Sequence, residues 1–170
     1  AIVTGASRGI GRAVALKLAE AGADVVLAAK TVTPDPRLPG TLHDVAAEVE
    51  KLGRRALVVR TNVREESDLE NLVSETMKTF HRVDILVNNA GGTMPKPMEK
   101  ISANSFRRAL EFNVTSAFLL SQYALPHLRA SKGNIINIAS AAGRLVQSLF
   151  TSYGTVKAAL IHLTKMMAAE

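Results

Sequence analysis

A tyrosine and a lysine stand four residues apart in the segment from Tyr153 to Lys157. Residues at this spacing lie on one face of a helix, one turn apart. A free phenol has a pKa near ~10, which is too high for efficient proton exchange at neutral pH. An ammonium group fixed within about 4–6 Å favours the phenolate, so this pair can serve acid–base chemistry. The same spacing also arises by chance in many helices. The rest of the sequence, which predicts the elements that position the pair, has to distinguish a catalytic pair from a chance one.

A glycine-rich loop lies near the start of the chain. The apolar strand Ile2–Thr4 runs into Gly5-Ala-Ser-Arg-Gly9-Ile-Gly11, and a helical pattern covers residues 12–21. Glycines at these positions permit a tight turn, close approach of a pyrophosphate and close packing of the next helix. The helix N-terminus offers free N–H groups to phosphates. The order strand, loop, helix therefore predicts a nucleotide site, with a well-capped structural turn as the alternative.

The end of the second strand bears on the choice of cofactor. In dinucleotide folds a carboxylate here binds the ribose 2′-OH, whereas a basic residue accommodates a 2′-phosphate. This strand, residues 25–29, is followed by Lys30, and Arg8 adds a second cation from the glycine-rich loop. Both cations favour NADP(H) over NAD(H). The alternative is that Lys30 is simply a solvated residue at the end of the strand. Arg37 could also bind the phosphate, but the proline-rich segment 31–40 is better interpreted as a rigid spacer.

Polar or small residues follow the other predicted strands. Asn62 comes after the third strand, where it either meets an adenine edge or simply makes a turn. The fourth strand runs into Asn88-Asn89-Ala90-Gly91-Gly92, and Ser140 follows the fifth. Open parallel sheets bind ligands at the carboxyl ends of their strands, so these residues are candidates for one site.

Strands alternate with helices along the whole chain. This pattern predicts an α/β fold, a doubly wound parallel sheet in a single domain spanning residues 1–170. Asn113 falls inside a long predicted helix, where it either exposes a backbone carbonyl or bends the helix, and Pro126 should distort the last turns. The predicted strands are 2–4, 25–29, 56–60, 85–87 and 134–138, and the predicted helices are 12–21, 41–52, 65–80, 102–129 and 153–167.

Composition excludes several classes of site. The 170 residues contain no cysteine, which excludes disulfides, Cys-ligated zinc and thiol catalysis, and the four histidines lack metal-ligand spacing, so no metal site is expected. No apolar run is long enough to span a membrane and no signal peptide is visible, so we expect a cytoplasmic protein. The net charge of +6 is scattered, which makes nucleic-acid binding a weak hypothesis and fits an acidic or phosphorylated small ligand.

These motifs together resemble the short-chain dehydrogenase/reductase family. The matching residues are Thr4-Gly-x-x-x-Gly9-x-Gly11, Asn88-Asn89-Ala90-Gly91, Asn113, Ser140 and Tyr153-x-x-x-Lys157. The resemblance implies a Rossmann-type three-layer fold with strand order 3-2-1-4-5, and interconversion of a ketone and a secondary alcohol with NADP(H). It also implies a homodimer or homotetramer that pairs the helices at 103–129 and 153–167. The substrate would be a small molecule such as a 3-oxoacyl thioester, a steroid, a terpenoid alcohol or a sugar.

The resemblance further implies roles for single residues. Tyr153 would be the general acid or base, Ser140 would hydrogen-bond the substrate oxygen, and Lys157 would favour the phenolate and hold the nicotinamide ribose. Asn113 would anchor a water molecule that relays protons from Lys157 to solvent. The residues expected to bind the cofactor are Gly5, Ser7, Arg8, Gly9, Ile10, Gly11, Lys30, Asn62, Val63, Asn89, Ala90, Gly91, Tyr153 and Lys157.

The chain departs from the family pattern in two places. It ends at Glu170, so we expect the family's later strands and its substrate loop to be missing from this sequence. The segment after the second strand is longer and richer in proline than usual, and it is similar to that of a hydroxysteroid-dehydrogenase-like subgroup. Because part of the substrate site would be uncovered, a non-catalytic nucleotide-binding or scaffold protein of the same fold is the alternative hypothesis.

Overall fold

The computed structural model describes residues 1–34 and 39–170. Five parallel strands form one sheet in the order β3-β2-β1-β4-β5, which confirms the predicted order. The strands are β1 (Ile2–Thr4), β2 (Val25–Ala29), β3 (Ala56–Arg60), β4 (Ile85–Asn88) and β5 (Asn134–Asn137). The helices are α1 (Gly9–Glu20), α2 (Leu42–Lys51), α3 (Glu66–Phe80), α4 (Ala103–Leu110), α5 (Ser116–Ser131) and α6 (Thr151–Ala168).

Helices cover both faces of the sheet, so the fold has three layers. One apolar core joins β1 to α3 and α5 through residues such as Ile2, Leu72 and Leu120. The core on the opposite face joins the sheet to α1 and α2 through residues such as Ala15 and Val45. Because both faces of the central strands are buried, their sequences are continuously apolar rather than alternating.

Helix boundaries agree with the predictions to within a few residues. α1 begins at Gly9 rather than at residue 12, because the glycine-rich loop turns directly into the helix. Thr41 caps α2, and its hydroxyl and backbone N–H form a capping box with Asp44. Ser102 caps α4 by accepting a hydrogen bond from the backbone N–H of Ser105, at 3.1 Å.

The long helix predicted for residues 102–129 is divided into three parts. A π-helical stretch, Glu111–Thr115, separates α4 from α5, and Asn113 lies within it. π-turns widen a helix locally, which gives the buried amide of Asn113 room to bond to the carbonyl of Ala109 at 2.9 Å. α5 continues past Pro126 to Ser131, so the proline does not end the helix.

Candidate active site

A cleft of about 340 Å³ opens where four of the parallel strands end. β1, β2, β3 and β4 all point their carboxyl ends at this edge, because parallel strands share one direction. The lining contains nine of the residues predicted to bind a cofactor, namely Gly5, Ser7, Arg8, Lys30, Asn62, Val63, Asn89, Ala90 and Gly91. The fold therefore brings together residues that lie as far apart in sequence as positions 5 and 91.

Five residues of the predicted cofactor set lie outside the lining of the cleft, namely Gly9, Ile10 and Gly11 of the glycine-rich loop, and Tyr153 and Lys157 of α6. Gly11 packs beneath the cleft, since a Cβ at this position would lie 2.2 Å from the carbonyl oxygen of Gly5. Gly9 begins α1, and the side chain of Ile10 is 64% exposed. Arg37 lies outside the described residues.

The ends of β1 and β4 are joined by Asn89 and Thr4. The side-chain amide of Asn89 donates to the carbonyl of Thr4 at 2.8 Å. The buried hydroxyl of Thr4 accepts hydrogen bonds from the backbone N–H groups of Asn89 and Ala90, at 2.9 and 3.0 Å. Asn89 thus fixes the floor of the cleft with its amide.

The loop end of the cleft fits an anionic dinucleotide. Arg8 is the N-cap residue of α1, no side chain caps the helix there, and its first turn contains no acidic residue. The N–H groups of that turn and the helix dipole consequently favour a phosphate. The Nε atom of Arg8 is also buried and lacks a hydrogen-bond partner among the described residues.

Lys157 lies beyond the other end of the cleft, on α6. Lys157 is only 4% exposed, although lysine is normally solvated. Its Nζ donates to the carbonyl of Ile138 at 2.9 Å. Burial lowers the pKa of Lys157 below its ordinary value, because desolvation disfavours the ammonium form. The same Nζ lies 5.7 Å from the centre of the Tyr153 ring.

Gly91 is the meeting point of Lys157, Asn113 and the cleft. A Cβ at Gly91 would lie 2.7 Å from the Oδ1 atom of Asn113 and 3.2 Å from the Nζ atom of Lys157. The amide of Asn113 also bonds both backbone groups of Gly92, accepting from its N–H at 2.8 Å and donating to its carbonyl at 3.1 Å. The fold therefore places Lys157 and Asn113, two of the predicted proton-transfer residues, next to the predicted cofactor cleft.

Ser140 is carried by a short 3-10 turn, Ala141–Gly143, that packs on α6. Its hydroxyl accepts a hydrogen bond from the backbone N–H of Ala142 at 3.2 Å. A Cβ at Gly143 would lie 2.7 Å from the carbonyl carbon of Lys157, so the turn and the helix are in direct backbone contact. This contact joins the turn that follows Ser140 to the helix that carries Tyr153 and Lys157.

Sequence reasoning missed several residues around the site. Thr31, Thr61 and Phe112 also line the cleft, and the Phe150 ring lies 6.0 Å from that of Tyr153. Thr31 and Thr61 follow strand ends and adjoin the predicted residues Lys30 and Asn62, so position at a strand end was the available signal for these two. That signal does not cover Phe112, which precedes Asn113 in the π-helical stretch, or Phe150, which precedes α6. The part of the chain that the structure describes contains no group of three or more His, Asp or Glu side chains placed to hold a metal ion.

The sequence model of the short chain dehydrogenase family matches residues 1–170. The chain therefore belongs to this family. Within residues 1–34 and 39–170, none of the helices has the length and apolar character needed to cross a bilayer.

Three known proteins illustrate the relationship. Hydroxysteroid dehydrogenase-like protein 2 of Danio rerio is 44% identical over 142 residues, which cover 80% of this chain and 33% of that protein. A structure of 7α-hydroxysteroid dehydrogenase, with NADH and 7-oxo glycochenodeoxycholic acid, has a TM-score of 0.88 and 39% identity, and the match covers 98% of this chain and 63% of that one. An alcohol dehydrogenase of Thermococcus sibiricus, with 5-hydroxy-NADP, has a TM-score of 0.89 and 26% identity, with 98% and 68% covered. The chain thus spans one third to two thirds of the length of these relatives.

Proposed function

We propose that the protein is an oxidoreductase that interconverts a ketone and a secondary alcohol with a nicotinamide cofactor, preferring NADP(H). The observation that carries the proposal is the meeting of Lys157, Asn113 and the cofactor cleft at Gly91. A buried lysine beside a tyrosine ring has no evident use in a scaffold, because burying an ammonium is costly. In an acid–base site the same cation stabilises a phenolate.

Each side chain has a separate role in this proposal. Tyr153 donates its hydroxyl proton to the carbonyl oxygen during reduction and accepts it back during oxidation, while the Ser140 hydroxyl hydrogen-bonds the same oxygen. Lys157 holds the cofactor ribose and stabilises the phenolate that forms when Tyr153 has given up its proton. A bound nicotinamide cofactor supplies or takes up the hydride.

Asn113 completes the proposed proton path. We assign it the anchoring of a water molecule that relays protons from Lys157 to solvent. Its burial, at 1% exposure, and the shared contact of Asn113 and Lys157 with Gly91 support that assignment.

The preference for NADP(H) rests on the charges around the cleft. Lys30 and Arg8 line it, and its described lining contains no carboxylate that could bind a ribose 2′-OH. The two structural relatives were solved with NADH and with 5-hydroxy-NADP respectively. Those complexes support a nicotinamide cofactor in general, whereas the preference is argued from Lys30 and Arg8.

The first experiment is a comparison of NADPH and NADH in the full-length natural protein. Its substrates are a panel of steroid ketones, 3-oxoacyl thioesters, terpenoid ketones and keto sugars. Hydrogen bonds between charged groups contribute about 1.5–3 kcal/mol, so we expect kcat/KM to be at least ~10-fold higher with NADPH. A higher value with NADH would contradict the cofactor preference while leaving the enzyme intact. Tight binding of both nucleotides without turnover on any carbonyl would favour the scaffold alternative.

We also propose that the protein works as a homo-oligomer through α4, α5 and α6. These helices leave large apolar side chains partly in solvent, including Phe118 at 42% and Met166 at 52% exposure. Burying such side chains against a second copy would remove apolar area from water. We expect sedimentation equilibrium of the full-length protein to give at least twice the monomer mass, and a monomeric mass at micromolar concentration would contradict this.

A further inference from the structure

The segment that connects β2 to α2 is fastened at its end to the glycine-rich loop. The backbone N–H of Leu42 donates to the carbonyl of Thr31 at 3.1 Å and closes the segment on itself. Two residues before Leu42, the carbonyl oxygen of Gly40 accepts a hydrogen bond from the Nη2 atom of Arg8 at 3.0 Å. A residue 32 positions away thus holds the side chain of Arg8.

Gly40 is fitted to this place by its lack of a side chain. Its φ of +90° lies in the left-handed region, which other residues adopt only with strain. A Cβ at Gly40 would also lie 2.8 Å from the carbonyl oxygen of Ser7, inside contact distance. The backbone of Gly40 therefore lies closer to the glycine-rich loop than a residue with a side chain at this position would allow.

The contact fixes the direction of the Arg8 guanidinium. Arginine presents its donors in a rigid planar fork, so anchoring one nitrogen orients the others. Arg8 lines the cleft with Lys30, and its buried Nε has no partner among the described residues. A donor that is already oriented loses less freedom when an anion binds.

We propose that Gly40 is a positioning residue that selects the cofactor. Its carbonyl holds the Arg8 guanidinium against the site of the NADP(H) 2′-phosphate, and so favours NADP(H) over NAD(H). This inference rests on the proposed function, because it assumes that the cleft binds a nicotinamide dinucleotide. It adds to that function a residue that makes no contact with the reacting atoms and lies outside the family motifs described above.

The test uses Gly40→Ala in the full-length protein, with the dissociation constants of NADPH and NADH measured by calorimetry. We expect the Kd of NADPH to rise at least ~10-fold and that of NADH to change less than ~3-fold, because only NADPH carries the 2′-phosphate. Gly22→Ala is the matched control. Gly22 has a φ of +96° and nothing within 4 Å of its Cβ position, so the control imposes similar backbone strain without the clash. It should leave the ratio of the two constants unchanged.

A second pair of variants separates positioning from general damage to the loop. In an Arg8→Ala background, Gly40→Ala should not alter the ratio further, because the side chain it acts through is gone. Arg8→Lys should also lose most of the preference, since a single ammonium cannot bond Gly40 and the phosphate as a fork does. This variant tests the inference even if Gly40→Ala fails to fold.

The outcomes distinguish this inference from the proposed function. If the natural protein prefers NADPH and Gly40→Ala keeps the full preference, or weakens both cofactors equally, the positioning role is overturned and the function stands. Retention of the preference in Arg8→Lys would overturn it as well. If the natural protein binds NADH more tightly, the cofactor choice in the proposed function has failed, and this inference fails with it.

Discussion

Replacing Tyr153 with phenylalanine is expected to lower kcat by ~10²–10⁴-fold, the usual contribution of a general acid or base. The ring is retained, so its packing near Phe150 and its position above Lys157 should persist. Only the proton donor is lost, and the affinity for the cofactor should stay within about threefold of the natural value. Steady-state kinetics with the best carbonyl substrate and calorimetric titration with the cofactor would measure both quantities.

The chain supplies its own control for this experiment in Tyr123, its only other tyrosine. Its hydroxyl donates to the carboxylate of Glu66, and that hydrogen bond raises the pKa of Tyr123 to about 12. Tyr123→Phe therefore removes a phenol that is unsuited to proton transfer at neutral pH, and kcat should be unchanged. Equal loss in the two variants, or substantial turnover by Tyr153→Phe, would argue against the role of Tyr153.

Replacing Lys157 with methionine is expected to lower the activity of the protein without lowering its stability. Turnover should fall by about 10²–10⁴-fold, because the phenolate of Tyr153 would lose its nearby cation. The unfolding temperature should stay level or rise, since methionine fills a similar volume without burying an ammonium. Thermal unfolding and kinetics of the same preparation would show both effects.

The pH dependence of this stability difference has a definite sign. The folded pKa of Lys157 lies below its ordinary value because the side chain is desolvated. Between the folded and unfolded pKa values, the unfolded chain holds more protons, so Lys157 makes stability rise with pH in that alkaline window. The advantage of Lys157→Met over the natural protein should therefore be largest at neutral pH and shrink as the pH approaches the ordinary lysine value.

Lys165→Met is the control, because Lys165 is an exposed lysine on the same helix, α6. It should change neither turnover nor the pH dependence of stability. A marked drop in unfolding temperature for Lys157→Met alone would show that its hydrogen bond to the Ile138 carbonyl stabilises the fold more than burial of the charge destabilises it.

The sequence by itself determined the order and type of the elements. Val25–Ala29 is apolar at every position because both faces of this strand are covered, and that pattern is visible without coordinates. The capping box of Thr41 and Asp44 is equally local. Parallel strands bring their carboxyl ends to one edge, which made Asn62 and Asn89 candidates for one site, and both line the cleft.

Only the tertiary structure decided how particular side chains are used. Asn113 bonds the backbone of Gly92 from within a π-turn, a geometry that its own neighbours in sequence do not specify. Arg8 is held by the carbonyl of Gly40, and Lys157 meets Asn113 at Gly91. Periodicity and propensity report interactions between residues a few positions apart. These contacts join residues from 21 to 66 positions apart, and their distances are set by how closely whole helices, strands and loops pack.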